Sequence, residues 1–319
     1  MLRAFFISLS KATWAQRLIT NWGFAWRAAS RFIAGETGGE AIEVIRQLNA
    51  TGILATLDHL GENTASASEA RKSTDEILQV LDQIHASGVR SNVSIKLSQI
   101  GLLLDEELCL QNLERILHKA QLTNNFIRID MEDSYLTEKT LDALRWARSK
   151  GFFNVGIVIQ SYLYRSAADV RTLVDEGICV RLVKGAYREP ASVAFPSKKD
   201  VDKAFDQLTE MLLNGSRNGG LSIQQTDGRF PPLAAIASHD PKRIQYARDV
   251  QQRLGLPKDA VEFQMLYGIR RDLQQELVAA GYPVRVYVPY GTHWYPYFMR
   301  RLAERPANVW FFISNFFKR

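Results

Sequence analysis

The sequence predicts an α/β fold: a (β/α)₈, TIM-type barrel carrying an N-terminal helical arm. Eight short apolar, β-branched runs bounded by turn residues recur along the chain, and stretches of helical apolar periodicity lie between them. Strands that alternate with helices pair in parallel through right-handed crossovers, and eight such units close into a barrel. Length agrees, since a barrel takes roughly 250 residues and a chain of 319 leaves an arm over residues 1–50 before a barrel over 51–319. The rival, an open doubly wound sheet, lacks support because no Gly-x-Gly-x-x-Gly turn follows the first run.

Taken in order, the predicted strands are Ile53 to Leu57, Val93 to Leu97, Phe126 to Ile129, Val155 to Ile159, Cys179 to Val183, Leu233 to Ala237, Val261 to Met265 and Val284 to Val288. Each is too short for a buried helix and rich in the residues that favour a pleated, packed surface. The helical pattern fills Glu69 to Ser87, Asp105 to Gln121, Thr137 to Lys150, Ser166 to Glu176, Val201 to Leu213, Pro241 to Leu254 and Arg270 to Ala280. A stretch rich in Gly, Asn and Gln, from Asn214 through Gly228, reads as a surface loop.

Composition mostly excludes. Hydrophobic content of 46% is ordinary for a globular chain of this size. Cys109 and Cys179 lie far apart with no paired-cysteine motif, which argues against a disulfide framework or a cysteine-based zinc site and fits a reducing cytoplasm. No apolar stretch approaches the roughly 20 residues that span a bilayer. A net charge of +6 from 40 basic and 34 acidic residues, spread along the chain, gives nucleic acid little to bind.

The arm stands apart. It carries Arg3, Lys11, Arg17, Arg27 and Arg31 with several aromatic residues and no acidic residue before Glu36. Three readings compete: a transit peptide, a peripheral contact of residues 1–35 with an anionic membrane surface, and aromatic packing on the barrel. Lys11 interrupts the apolar stretch and disfavours a secretory signal.

In a parallel barrel the chemistry sits at the C-terminal strand ends. There the sequence places Asp58 and His59; Lys96; Asp130, Glu132 and Asp133; Gln160 and Tyr162; Arg181, Lys184 and Tyr187; His239 and Asp240; Gln264 and Tyr267; Tyr287 and Tyr290. Each alone could serve only as a satisfied polar wall. Together they suggest a site. After the last strand, Tyr297, Arg300, Arg301 and Glu304 recur at i, i+3, i+4 and i+7, which puts a ring, two guanidinium forks and a carboxylate on one helix face. In isolation a solvated basic helix closed by an Arg to Glu pair is the better explanation of the pattern, but above a barrel mouth the face suits a small carboxylate ligand.

Three chemistries compete for this collection. Lys96 or Lys184 could form a Schiff base as in aldolases. The carboxylates with His59 or His239 could hold a metal, although no local His-x-His or His-Glu-x-x-His nucleus supports it. A cofactor is the third, with Arg181 as fixed positive charge near an electron-accepting ring and Gly185 permitting close backbone approach.

Several motifs decide among them: Ser94-Ile95-Lys96-Leu97, Gln160-Ser161-Tyr162, Arg181-Leu182-Val183-Lys184-Gly185-Ala186-Tyr187, Ala237-Ser238-His239-Asp240, Glu262-Phe263-Gln264 and the final Tyr-x-x-Arg-Arg-x-x-Glu helix. In order and spacing, from about Ile33 to about Val309, the set resembles the proline dehydrogenase family, and within it the short, monofunctional bacterial form.

The resemblance implies an FAD-containing barrel that oxidises L-proline to Δ1-pyrroline-5-carboxylate by hydride transfer to the flavin N5 and passes electrons to a quinone. It implies that Arg300 and Arg301 pair with the proline carboxylate, assisted by Lys96. Tyr287 and Tyr297 would flank the substrate ring, with Asp130 supporting the site from behind and Glu304 orienting an arginine. Gln160 and Arg181 would approach the isoalloxazine, Val183, Lys184, Gly185 and Ala186 would follow the cofactor chain, and His239 would lie near its phosphates. The chain is too short for the aldehyde-oxidising or DNA-binding portions of the bifunctional relatives, so the pyrroline-5-carboxylate dehydrogenase is expected on a separate chain. The expected location is the cytoplasm, with the inner face of the membrane as a peripheral site.

Overall fold

The computed structural model describes residues 23–61, 64–217 and 227–304. Eight parallel strands form a closed barrel in chain order: β1 Leu54–His59, β2 Ser91–Ile95, β3 Ile127–Ile129, β4 Val155–Gln160, β5 Val180–Val183, β6 Ala234–Ala237, β7 Val261–Leu266 and β8 Val284–Tyr290. Closure runs through β8 against β1, from Leu54 opposite Arg285 to His59 opposite Tyr290. Between them lie α3 Ala67–Ser87, α4 Glu106–Leu122, α5 Thr137–Ser149, α6 Ser166–Asp175, α7 Lys198–Arg217, α8 Pro241–Arg253 and α9 Arg271–Ala279. The arm contributes α1 Gly23–Ala29 and α2 Gly38–Ala50, and α10 Trp294–Glu304 follows the last strand.

Period-2 alternation divides each strand. Leu57, Val93, Ile95, Ile127, Ile129, Ile157, Leu182, Ile236, Phe263 and Val286 are buried with the apolar helix faces. The residues between them face the barrel interior and are unusually polar: Thr56, Asn92, Ser94, Arg128, Arg181, Glu262, Gln264 and Arg285 are all buried. Side chains across the barrel satisfy one another. Arg285 donates to both oxygens of Glu262 at 2.8 and 2.9 Å, Gln264 Nε2 donates to Glu262 at 2.6 Å, and Arg181 Nε donates to Gln264 Oε1 at 2.5 Å. Gly156 makes room for the fully buried Arg128, because a Cβ there would lie 2.7 Å from its Nη1 and 2.5 Å from the Cys179 carbonyl.

The helices start where capping chemistry allows. Thr37 and Glu40 form a capping box for α2, Ser66 caps α3, Asp105 caps α4, and Asp240 followed by Pro241 opens α8. Gly88 ends α3 with a left-handed backbone, φ +68°.

The expected loop from Asn214 to Gly228 requires correction at both ends. α7 continues to Arg217, because Asn214 Nδ2 and Ser216 Oγ bond back to the Glu210 and Leu212 carbonyls, and Gly215 fits against Val174, whose Cγ1 would be 2.4 Å from an added Cβ. At the other end Gly228 and Arg229 offer carbonyls to Arg285 Nη2 at 2.8 Å and Asn92 Nδ2 at 3.0 Å, so this segment seals the N-terminal end of the barrel. Residues 218–226 lie outside the described residues.

The described part of the arm packs. Trp26 meets Trp294 with ring centroids 5.5 Å apart and Phe32 meets Phe298 at 6.5 Å, in a second core of Ala28, Ala29, Ile33, Leu60, Tyr295, Tyr297 and Leu302. Ala41, Ile42 and Ile45 of α2 join the main core. Residues 1–22 lie outside the described residues.

Candidate active site

Every residue that the resemblance assigns to the site except Glu304 lines one cavity of about 780 Å³ at the C-terminal ends of the strands, together with Asp58, Tyr187, Asp240 and Gln264, whereas the strand-end residues His59, Glu132, Asp133, Tyr162, Tyr267 and Tyr290 do not line it. Glu304 ends α10, but its side chain lies outside the described residues. β1 supplies Asp58, the end of β2 leads to Lys96, and Asp130 follows β3. Gln160 ends β4, while Arg181 and Val183 come from β5 and lead into Lys184, Gly185 and Ala186. His239 follows β6, Tyr287 belongs to β8, and α10 brings Tyr297, Arg300 and Arg301 over the opening.

One wall is an ion network. Arg181 Nη1 lies 2.9 Å from Asp130 Oδ1 and 3.1 Å from Ser94 Oγ, and its guanidinium sits 5.3 Å above the Tyr287 ring. The Tyr287 hydroxyl donates to Asp130 Oδ2 at 2.8 Å. Lys96 Nζ approaches Asp58 Oδ1 at 3.2 Å and Asp130 Oδ2 at 3.9 Å. Burial, with Asp130 and Asp58 adding to it, raises the Tyr287 phenol well above its ordinary range and keeps it a neutral donor. Asp130 therefore reaches the cavity wall itself, where it grips Arg181 and Tyr287 directly.

On the opposite side Tyr297 and Arg301 are buried, and the Arg301 guanidinium lies 5.0 Å from the Tyr297 ring. The helical spacing read from the sequence thus does place ring and guanidinium together. Four cations, Lys96, Arg181, Arg300 and Arg301, face two carboxylates, Asp58 and Asp130, in this part of the cavity. That excess of positive charge suits an anionic ligand.

The far end is shaped by backbone. Gly185 has φ +116°, and a Cβ there would strike the Tyr162 ring at 2.6 Å, so only glycine lets the chain lie flat on that ring. Lys184 Nζ pairs with Asp202 and, at 3.1 Å, with Asp240. His239 Nε2 accepts the Leu266 amide at 2.9 Å, which assigns its ring proton to Nδ1. Gln160 Nε2 donates to the Glu132 carbonyl at 3.3 Å, while its buried Oε1 has no hydrogen-bond partner among the described residues.

Two contributors were not assigned a part from sequence. Asp58 was only one polar strand end among many, and Gln264 carried no distinguishing signal beyond its motif. Their importance lies in cross-barrel pairing.

Fold and cavity define a closed parallel α/β barrel with a cationic pocket at the C-terminal ends of its strands. The chain belongs to the proline dehydrogenase family, whose profile matches residues 41–313. It is 41% identical over 318 residues to proline dehydrogenase 2 of Bacillus subtilis (strain 168), covering 99% of each chain. To the proline dehydrogenase of Deinococcus radiodurans it is 41% identical over 297 residues, covering 92% of this chain and 91% of that one. The crystal structure of proline utilization A (PutA) from Bdellovibrio bacteriovorus inactivated by N-propargylglycine shares the barrel with a TM-score of 0.79 at 24% identity. That match covers 88% of this chain and 33% of the other.

Proposed function

We propose that this chain oxidises L-proline to Δ1-pyrroline-5-carboxylate with FAD held in the cavity, and that a quinone takes the electrons onward. The observation that carries the reading is the meeting of Arg300, Arg301 and Lys96 with Gln160 and Arg181 in one cavity. The residues fit a flavin: the unpartnered acceptor Gln160 Oε1 suits an N–H on the edge of a flat ring, and the backbone at Gly185 leaves the cofactor chain room. Bound there, the isoalloxazine supplies a two-electron acceptor for the hydrogen on the proline carbon next to nitrogen.

The protein's own residues orient and polarise. Arg300 and Arg301 hold the substrate carboxylate, with Lys96 as a third cation. Tyr287 and Tyr297 bound the ring from two sides and exclude water. Arg181, fixed by Gln264, Asp130 and Ser94, keeps a permanent positive charge beside the acceptor's place without reorganising during the reaction. Val183, Lys184, Gly185, Ala186 and His239 line the extended end for the rest of FAD.

A Schiff-base lyase on the same barrel is disfavoured because the two strand-end lysines of the cavity are ion-paired, Lys96 with Asp58 and Lys184 with Asp202 and Asp240. Such ammonium groups serve as fixed cations and make poor nucleophiles. Anaerobic addition of L-proline to the purified protein tests the choice. Bleaching of a bound flavin spectrum supports the oxidation; no bleaching by proline, with a lysine adduct trapped by borohydride when an aldehyde is supplied instead, overturns it.

Among the described residues no helix is long and apolar enough to cross a membrane. Electron delivery to a membrane quinone then calls for a peripheral encounter on the cytoplasmic side, for which residues 1–35 with their basic and aromatic content are our candidate. A separate pyrroline-5-carboxylate dehydrogenase chain would take the product.

A further inference from the structure

The two carboxylates beside Lys96 have divided their work. Asp130 spends Oδ1 on Arg181 at 2.9 Å and Oδ2 on the Tyr287 hydroxyl at 2.8 Å, and its distance to Lys96 Nζ, 3.9 Å, is outside hydrogen-bonding range. Asp58 differs. Both of its oxygens lie within reach of Lys96 Nζ, at 3.2 and 3.4 Å, and its side chain is 1% exposed. Parallel register explains the meeting: Asp58 stands opposite Ser94, and Lys96, two residues on, returns to the same inward face at the rim.

We propose that Asp58 is the positioning residue for Lys96, holding its ammonium across the barrel mouth so that it presents a charge to the carboxylate of the substrate. The assignment rests on the reading of Lys96 as a partner of that carboxylate. A lysine stem carries several rotatable bonds, and without an anchoring anion the ammonium would spread over the cavity. Asp58 removes that freedom from a buried place in the cavity wall. Burial raises the Asp58 carboxyl above its ordinary range, the Lys96 charge pulls it down, and Asp130 pushes it up. Around Lys96 stand also Tyr287 from β8, His59 at the end of β1, Arg181 from β5, and Arg300 and Arg301 from α10, and among the described residues its ion pairs are with Asp58 and Asp130.

The test is a double-mutant cycle on the flavin-loaded enzyme with Asp58→Asn, Lys96→Met and both, reading kcat and KM for L-proline against pH. Asp58→Asn is expected to raise KM about tenfold, as for loss of one charge-assisted contact, with the flavin spectrum unchanged. The alkaline limb of kcat/KM should move to lower pH, because an ammonium that loses its carboxylate releases its proton more readily. In the Lys96→Met background the same substitution should change neither. Equal effects of Asp58→Asn in the two backgrounds overturn the pairing. If the two substitutions couple in unfolding stability but not in KM or the pH profile, the pair exists and the role of Lys96 at the substrate is what fails, which overturns the proposal through its premise. Should Asp58→Asn not fold, recovery of the fold by adding Lys96→Met supports the pair, since removing both charges leaves none uncompensated, and no recovery overturns it.

Discussion

Glu262 and Arg285 form a bidentate ion pair inside the barrel, with each side chain 1% exposed. Removing one partner of such a pair leaves a buried charge, which costs roughly 3–5 kcal/mol. Glu262→Gln is therefore expected to lower unfolding stability by that order in urea titrations, and Arg285→Met added to it should return part of the loss. Additive losses in the double variant would mean that the two residues stabilise the barrel independently.

The same carboxylate orients the next link. A carboxylate only accepts, so Glu262 turns the Gln264 amide nitrogen toward itself and presents Oε1 to Arg181. Arg181→Met should leave the barrel folded yet lower the potential of bound flavin and slow its reduction by proline. Reductive titration beside a reference dye reads the potential, and an unchanged value in a variant that retains flavin would make Arg181 a structural residue alone.

Arg300→Ala or Arg301→Ala should keep flavin bound and reduce kcat/KM for proline by the equivalent of roughly 2–4 kcal/mol, the value of a charge-assisted contact to a desolvated carboxylate. Steady-state kinetics suffice. Full efficiency in both variants would dismiss the arginine clamp.

Tyr297 is buried under Arg301 and lines the cavity. Wild type is expected to prefer proline to 4-hydroxyproline, and Tyr297→Ser should narrow the gap by roughly 1–3 kcal/mol, mainly by harming proline. The ratio of kcat/KM values for the two substrates in both proteins is the readout. An unaltered ratio would turn the α10 face away from the substrate.

Asp206 on α7 supplies a pH signature. Burial raises its carboxyl to about 6 despite Arg243, whose Nε lies 3.0 Å away; Asp202 and Asp240 push the same way and Lys184 opposes. The folded state thus binds this proton more tightly than the unfolded chain, and the group's contribution to stability fades as pH rises from about 4 to about 6. Stability of Asp206→Asn relative to wild type should climb through that window and level off above it. A pH-independent difference in unfolding free energy would contradict the assignment.

The barrel was legible because the outward strand positions, such as Ile127, Ile129, Ile157 and Phe263, must be apolar whatever the interior does. Strand ends were less so. Ser91 and Asn92 open β2, and Gln160, His59 and Tyr290 close their strands, but a reading of apolar runs passes over such polar or aromatic residues. Pro289 hid the end of β8, although its missing N–H does not prevent the pairing there with Asp58. Helical spacing exposed the Tyr297, Arg300 and Arg301 face, since residues three and four apart meet on any helix. The links from Asp58 to Lys96 and from Gln264 to Arg181 cross between strands, and no spacing along the chain encodes them. Likewise the sealing of the barrel by Gly228 and Arg229 depends on Arg285 and Asn92 from distant strands.

The aromatic contacts of Trp26 with Trp294 and Phe32 with Phe298 join the arm to the helix that bears Arg300 and Arg301. A truncation reaching past Phe32 would therefore loosen the arginine pair as well as any lipid contact, and a rise in KM could pass for a failure to reach the membrane. Cutting before Gly23 and keeping these four rings separates the two causes.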